Sequence, residues 1–256
     1  MKNSLLLFLL FFSLKTFSQT EKTFTIEGIE RKAIFYEPKI KSEKTPVVFI
    51  FHGHGGTAKW ASNKLNFYEE FPEALIIYMQ GIPGVTNSLV DKEGKYNGWQ
   101  MNPDELENRD VKFFDEVFHQ IQQNHTIDLD RIYAVGHSNG SRFVNILWKM
   151  RGENFAAFIT VAGPGGVWLR AAPQKSVWIS FGKNDKIVPY KIQKFSSKQY
   201  LKFLNADENN AKTEGEITYY KNPKNLEIVI EERNAGHEFP QNSIPKMVDF
   251  LKRNRR

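Results

Sequence analysis

Arg131-Ile132-Tyr133-Ala134-Val135-Gly136-His137-Ser138-Asn139-Gly140 carries the chain from an apolar, strand-type run straight into Gly-x-Ser-x-Gly. This is the sequence form of a nucleophile elbow, a sharp strand-to-helix turn that holds a serine hydroxyl out over a sheet. In so tight a turn, side chains at Gly136 and Gly140 would collide with their neighbours, which accounts for glycine at both. The helix predicted next, Asn139 to Met150, points its N-terminal amides at the same spot, where they stabilise negative charge.

On either side of this stretch, strand-like and helix-like segments alternate, which predicts an α/β fold with a largely parallel sheet and helices on both faces. Thr23 to Glu27 and Arg31 to Tyr36 read as an opening pair of strands. Val47 to Phe51 and Ala74 to Tyr78 are continuous apolar runs, as are Ile132 to Val135 and Phe158 to Val161; this is the pattern of strands buried on both faces. Ser176 to Phe181 and Leu226 to Ile230 complete the set. Val111, Phe114, Val117, Phe118 and Ile121 share one face of a helix, and Ile244 to Leu251 forms the closing one. No repeat, linker or second-domain boundary interrupts the pattern, and 256 residues suit one domain over 19–256. The segment Gln80 to Asn108 is long, irregular and polar. Connections of that length are uncommon unless functional, so it is expected to form part of a cleft through Tyr96-Asn97-Gly98-Trp99.

Hydrophobic residues make up 41% and charged residues 25%, both ordinary for a globular chain. The 21 phenylalanines predict a Phe-rich core rather than a sticky cleft. Residues 1–18 read as a secretory signal peptide: Lys2, an apolar run from Leu5 to Leu14, then Thr16-Phe17-Ser18 before a mature start at Gln19. The apolar run is too short for a span of about 20 residues, and Lys15 interrupts it, so an uncleaved anchor is the lesser reading. The expected location is secreted or periplasmic, without stable membrane insertion. The chain has no cysteine, which excludes disulfides, thiol catalysis and thiolate metal sites. Its net charge is +6, of which Lys2 and Lys15 carry two, leaving +4 from Gln19 onward. The basic tail Lys252-Arg253-Asn254-Arg255-Arg256 reads as a helix end rather than a nucleic-acid site, because no other basic run accompanies it.

A serine hydroxyl needs a base to take its proton, usually histidine, and a carboxylate to orient that histidine. In α/β-hydrolases the chain order is Ser, acid, His, with acid and base in loops at the C-terminal ends of later strands. Asp185 occupies such a place, in Gly182-Lys183-Asn184-Asp185 just past an apolar strand; a turn-stabilising aspartate is its other reading. Of six histidines only His237 lies downstream of Asp185, between the last strand and the last helix. The catalytic candidates are therefore Ser138, Asp185 and His237. The oxyanion of a tetrahedral intermediate needs donors. The Asn139 amide is one, and the turn Phe51-His52-Gly53-His54-Gly55-Gly56 supplies the other, from His54 or alternatively Gly55. The His52 side chain is expected to pack under the loop. Neither a nearby carboxylate nor a third histidine in this stretch supports a metal, so no metal or organic cofactor is expected. Trp99 and His137 are the substrate-binding candidates, with a core position the other reading of Trp99.

His52-Gly53-His54-Gly55-Gly56-Thr57, Asn97-Gly98-Trp99, Asp110-Val111-Lys112-Phe113, Asp130-Arg131-Ile132-Tyr133, Gly136-His137-Ser138-Asn139-Gly140, Asp185-Lys186-Ile187-Val188-Pro189-Tyr190 and Gly236-His237 together resemble the polyhydroxybutyrate depolymerase and feruloyl/acetylxylan esterase family of α/β-hydrolases. The resemblance runs from about Pro46 to Pro240. It implies Ser138, Asp185 and His237 as the triad of a secreted carboxylic-ester hydrolase acting on a polyester or on acetyl or feruloyl esters of plant polysaccharide. Two departures bear on the substrate: Glu238-Phe239-Pro240 stands where the family often has tryptophan after the histidine, and its frequent cysteines are absent. The alternative readings are a prolyl-oligopeptidase-type serine peptidase, disfavoured by the lack of a propeller-length N-terminal region, and a non-catalytic glycan-binding relative. A neutral histidine base predicts activity that falls below about pH 6.5; full activity at about pH 4 would contradict it.

Overall fold

The eight predicted strands and two that the sequence did not mark, a short polar strand and its neighbour near the far edge, assemble into one ten-stranded sheet. The computed structural model describes residues 19–87, 90–166 and 169–256; the expected signal peptide lies outside the described residues. In chain order the strands are β1 (Gln19–Ile26), β2 (Ile29–Tyr36), β3 (Thr45–Phe51), β4 (Leu75–Met79), β5 (Ile127–His137), β6 (Ala157–Val161), β7 (Ser176–Gly182), β8 (Lys212–Glu214), β9 (Ile217–Lys221) and β10 (Glu227–Arg233). They lie side by side as β1-β2-β4-β3-β5-β6-β7-β10-β9-β8. The six central strands from β4 to β10 are parallel; β1, β2, β8 and β9 are antiparallel margins.

Both sheet faces are covered, which is why the central strands are apolar throughout rather than alternating. Side chains along a strand point to opposite faces in turn. Val47, Phe49 and Phe51 therefore join a core with helices α3 (Arg109–Asn124), α4 (Asn139–Arg151) and α5 (Tyr190–Leu204). Val48 and Ile50 face the opposite core, under α1 (Ala58–Lys64), the short α2 (Phe67–Glu70) and α6 (Ile244–Arg253). Most phenylalanines lie in these two cores, several in edge-to-face or stacked pairs such as Phe49–Phe114 and Phe114–Phe155. The basic tail ends α6, where Lys252 and Arg253 complement the helix dipole. Ion pairs to Glu227, Asp128 and Asp130 hold Arg253, Arg255 and Arg256 against the domain.

Helix α5 shows no apolar period in the sequence. Its buried face includes Gln193, Ser196 and Ser197 beside Tyr200, Leu201 and Leu204, so polar residues occupy positions where a periodic pattern needs apolar ones.

The long segment after β4 is held at its base by a buried ion pair. Arg31 and Asp110 are 1% and 0% exposed, with Nη2 and Oδ1 2.8 Å apart. Arg31 also donates to the Gln80 carbonyl, and Asp110 accepts the Gln100 amide at 2.7 Å, so the pair grips both ends of the loop. Removing one partner leaves a buried, uncompensated charge. Asp110→Ala is expected to cost about 3–5 kcal/mol in urea unfolding. Replacing both partners with apolar residues recovers part of that loss; an Asp110→Ala variant as stable as the parent would contradict this account.

Candidate active site

Ser138 sits at the hinge between β5 and α4 with φ 54° and ψ −116°, a left-handed conformation that serine rarely adopts. The turn is held by the Ser138 amide donating to the Val161 carbonyl and by Arg142 closing the first helical turn onto the Ser138 carbonyl. A Cβ at Gly136 would overlap the Gly140 carbonyl, and one at Gly140 would overlap the carbonyls of Phe51 and His52. Glycine is required at both by close approach rather than by φ.

Because β5, β7 and β10 run parallel, the loops that follow them open on the same sheet edge. That edge brings together three residues far apart in sequence. Ser138 Oγ lies 2.8 Å from His237 Nε2, and His237 Nδ1 lies 2.8 Å from Asp185 Oδ2. Asp185 is saturated: Oδ1 accepts the Ile187 and Val188 amides at 2.8 and 2.9 Å, and Oδ2 also accepts Gln193 Nε2 at 2.9 Å. Burial pushes its carboxyl up, but the bonds from His237 and the two amides outweigh it and hold it below its ordinary range. The carboxylate thus stays charged and keeps a proton on His237 Nδ1, which leaves Nε2 free to accept one from serine.

Two side chains brace the histidine loop. His137 Nε2–H donates to the His237 carbonyl at 2.7 Å, and Arg233 Nη2 donates to the next carbonyl, that of Glu238, at 2.7 Å. Burial pushes the His137 imidazole down to about 4, so it is neutral here. His137 also lines the cavity, with its Nε2 engaged by the histidine loop. Gln193, 2% exposed, and Arg233 have no signal in the sequence, because neither stands in a motif.

The Gly-rich turn after β3 abuts the elbow, with Gly53 packed against Ser138 Cβ. The Gly55 amide is engaged by the Asn97 carbonyl at 2.7 Å and the Gly56 amide by Gly53. The His54 amide has no such bond among the described residues. His52 packs under the loop: Nδ1–H donates to the Gly53 carbonyl and Nε2 accepts the Gly81 amide at 2.9 Å. The fold also brings up a carboxylate that adjacent sequence does not offer: Asp91 Oδ2 lies 3.4 Å from His54 Nε2. Among the described residues no cluster of three His, Asp or Glu is arranged to hold a metal, and no helix is long and apolar enough to cross a membrane.

Burial pushes the His52 imidazole down to about 4. Between the ordinary value of about 6.5 and that point, the unfolded chain binds a proton that the native chain does not. Stability therefore falls as pH drops through this window. The difference amounts to roughly 3 kcal/mol. Urea unfolding across pH 4 to 7 should show a shallower slope in His52→Gln; an unchanged slope would assign the acid sensitivity elsewhere.

A cavity of about 1190 Å³ opens beside the serine and is lined by Ser138, His237 and His54 among others. Trp99 does not line it, contrary to the expectation of a substrate wall. The indole is 1% exposed, stacked on Phe143, edge-on to Phe51 and bonded to the His52 carbonyl at 2.9 Å. It belongs to the core beneath the site because its polar N–H finds a buried acceptor there. Among the described residues, the tryptophan that does line the cavity is Trp60, 45% exposed on α1. Nothing in the sequence marks it, since it lies in a short helix set only by its Thr57 cap.

A family model described as acetyl xylan esterase (AXE1) matches residues 13–146. No curated protein matches the chain. Among solved structures, the acetyl xylan esterase from Aspergillus awamori is similar over 91% of this chain and 99% of its own, with a TM-score of 0.69 at 12% identity. A CE1 ferulic acid esterase from Anaeromyces mucronatus, in complex with ferulic acid, is similar over 95% of this chain and 92% of its own, at a TM-score of 0.61 and 18% identity. The Bacillus cereus carboxylesterase is similar over 87% and 94% of the two chains, at 0.58 and 19%. At these identities the structural likeness is one of fold, the α/β-hydrolase fold in a single domain.

Proposed function

The chain belongs to the acetyl xylan esterase family of carboxylic ester hydrolases, and on that premise we propose that it is a serine esterase working through an acyl-enzyme on acetyl or feruloyl esters of a polysaccharide. The observation that carries the reading is the hydrogen-bonded chain from Ser138 Oγ through His237 to Asp185, whose serine and histidine line an open cavity.

Ser138 Oγ attacks the ester carbonyl carbon while its proton passes to His237 Nε2, forming a tetrahedral oxyanion. The Asn139 and His54 amides hold that oxyanion, since the first has no helical acceptor at the start of α4 and the second is the free one of the two turn candidates. The carbonyl re-forms, the C–O bond to the alcohol breaks, and His237 returns its proton to the leaving alkoxide. Water then gives a proton to His237 and its oxygen to the acyl carbon; collapse of that adduct breaks the bond to Ser138 Oγ, which takes the proton back from His237, and frees the acid. Asp185 remains ionised throughout and stabilises the imidazolium. Trp60 at the cavity wall offers a face for a feruloyl ring or a sugar. Residues 1–18 would carry the protein out of the cytoplasm as a cleaved leader.

The test is hydrolysis of p-nitrophenyl acetate, p-nitrophenyl butyrate and methyl ferulate by the protein starting at Gln19. Turnover of at least one is expected, and the order among them separates short-acyl from feruloyl preference. A correctly folded protein that turns over none would overturn the reading.

A further inference from the structure

The two oxyanion amides proposed above come from different elements, Asn139 from the start of α4 and His54 from the turn after β3. The Asn97-Gly98-Trp99 segment of the long loop touches both. The Asn97 carbonyl accepts the Gly55 amide at 2.7 Å, and Asn97 Nδ2 donates to the Gly56 carbonyl at 3.2 Å, so Asn97 grips the residues that follow His54. Two residues later, the Trp99 amide donates to Asn139 Oδ1 at 2.7 Å while Asn139 Nδ2 donates back to the Trp99 carbonyl at 3.1 Å. The Asn139 side chain is thus a two-way tie to the loop, a role separate from that of its own main-chain amide.

Gly98 lies between the two grips. A Cβ there would stand 3.1 Å from His54 Nδ1 and 3.2 Å from Asn139 Oδ1, wedging the two donors' residues apart. The segment is itself fixed, by the Gly98 amide on the Ile82 carbonyl and by the Trp99 indole seated against Phe143 and the His52 carbonyl. On the outer side Asp91, held by the Lys95 and Tyr96 amides at 3.0 Å each, faces His54 Nε2 and keeps that ring over Gly98. The bonds made by Asn97 and Trp99 therefore land on, or one or two residues from, an oxyanion donor.

We propose that Asn97-Gly98-Trp99 is a clamp that sets the separation of the two oxyanion amides, with Asn97 and the Asn139 side chain as positioning residues. This inference rests on the serine esterase reading. The physical ground is the steepness of oxyanion stabilisation with geometry: donors act at about 2.7–3.1 Å from the developing charge, and a displacement of about 1 Å costs up to about 100-fold. A clamp of this kind changes how the transition state is held and leaves ground-state binding in the cavity unchanged.

The experiment measures kcat and KM for p-nitrophenyl acetate in Asn97→Ala, Gly98→Ala, Asn139→Ala and the Asn97→Ala/Asn139→Ala double variant, with the affinity of each for a methyl trifluoromethyl ketone. That ketone forms a tetrahedral adduct with the serine, and its oxyanion reports on the hole directly. The expected result is a fall in kcat of roughly 10- to 100-fold in each single variant, KM within about twofold of the parent, and an equal loss of ketone affinity. The double variant should lose less than the product of the two single losses, because both loosen one clamp. Asn97→Ala with kcat within twofold of the parent, or a loss confined to KM with ketone affinity intact, would overturn the proposal. Asn97→Ala decides the matter where Gly98→Ala does not fold. Parent turnover that survives Ser138→Ala would instead overturn the serine esterase reading, and the clamp with it.

Discussion

Ser138→Ala is expected to lower kcat for p-nitrophenyl acetate by roughly 10⁵- to 10⁶-fold with KM little changed. The magnitude follows from the geometry. Serine is the only group that lies within hydrogen-bond distance of His237 Nε2 among the described residues, so no second nucleophile waits at 2.8 Å from the base. Loss of Oγ leaves the oxyanion amides and the cavity in place, and these sustain a residual rate roughly 10³-fold above water. Folding should be preserved: alanine occupies the same strained φ of 54°, and the only bond removed is the one to His237. Far-UV circular dichroism and urea unfolding beside the kinetics make the comparison clean. A folded variant that keeps more than about one part in a thousand of the parent rate would require a different nucleophile.

Asp185→Asn is expected to lower kcat by about 10⁴-fold, with the fold retained. The reason lies in the partners of the carboxylate. Oδ1 accepts the amides of Ile187 and Val188, so the asparagine must place its oxygen there and its NH₂ at the position of Oδ2. That NH₂ then confronts His237 Nδ1, which can only accept from it, and the imidazole proton moves to Nε2. An imidazole protonated at Nε2 cannot take the proton of Ser138. The same substitution changes the acid limb of stability. The native carboxyl is held below its ordinary value, so its contribution is complete above about pH 4 and fades as the pH falls through the depressed native value. Urea unfolding of the variant should therefore lose less stability than the parent below about pH 4. A variant with near-parental kcat would mean that His237 is oriented by the loop braces alone.

Those braces mark the boundary of what the linear chain discloses. Ser138 is legible because Gly-x-Ser-x-Gly encodes a backbone turn, and backbone geometry is local: glycine is needed at Gly136 and Gly140 by contacts with residues only a few positions away or on the adjoining strand. Asp185 and His237 are legible because each follows a continuous apolar run, and parallel strands deliver their C-terminal ends to one edge. The reading of Trp99 as a cavity wall failed for the opposite reason. A tryptophan in a polar loop carries no mark of which way its ring turns, and here the buried His52 carbonyl and Phe143 decide it. Trp60, unmarked in the sequence, takes the place at the wall.

The sequence by itself determined the α/β architecture, eight of its ten strands and the three residues that meet at the sheet edge. All of these follow from apolar periodicity and turn chemistry, which act over a few residues at a time. Only the tertiary structure decided which polar side chains support that meeting. Gln193 under Asp185, His137 and Arg233 on the histidine loop, and Asn97 and Asn139 across the oxyanion turn are joined to their partners by bonds that span 5 to 100 residues of chain. Hydrogen bonds are satisfied by direction and distance in space, and no spacing along the chain records them.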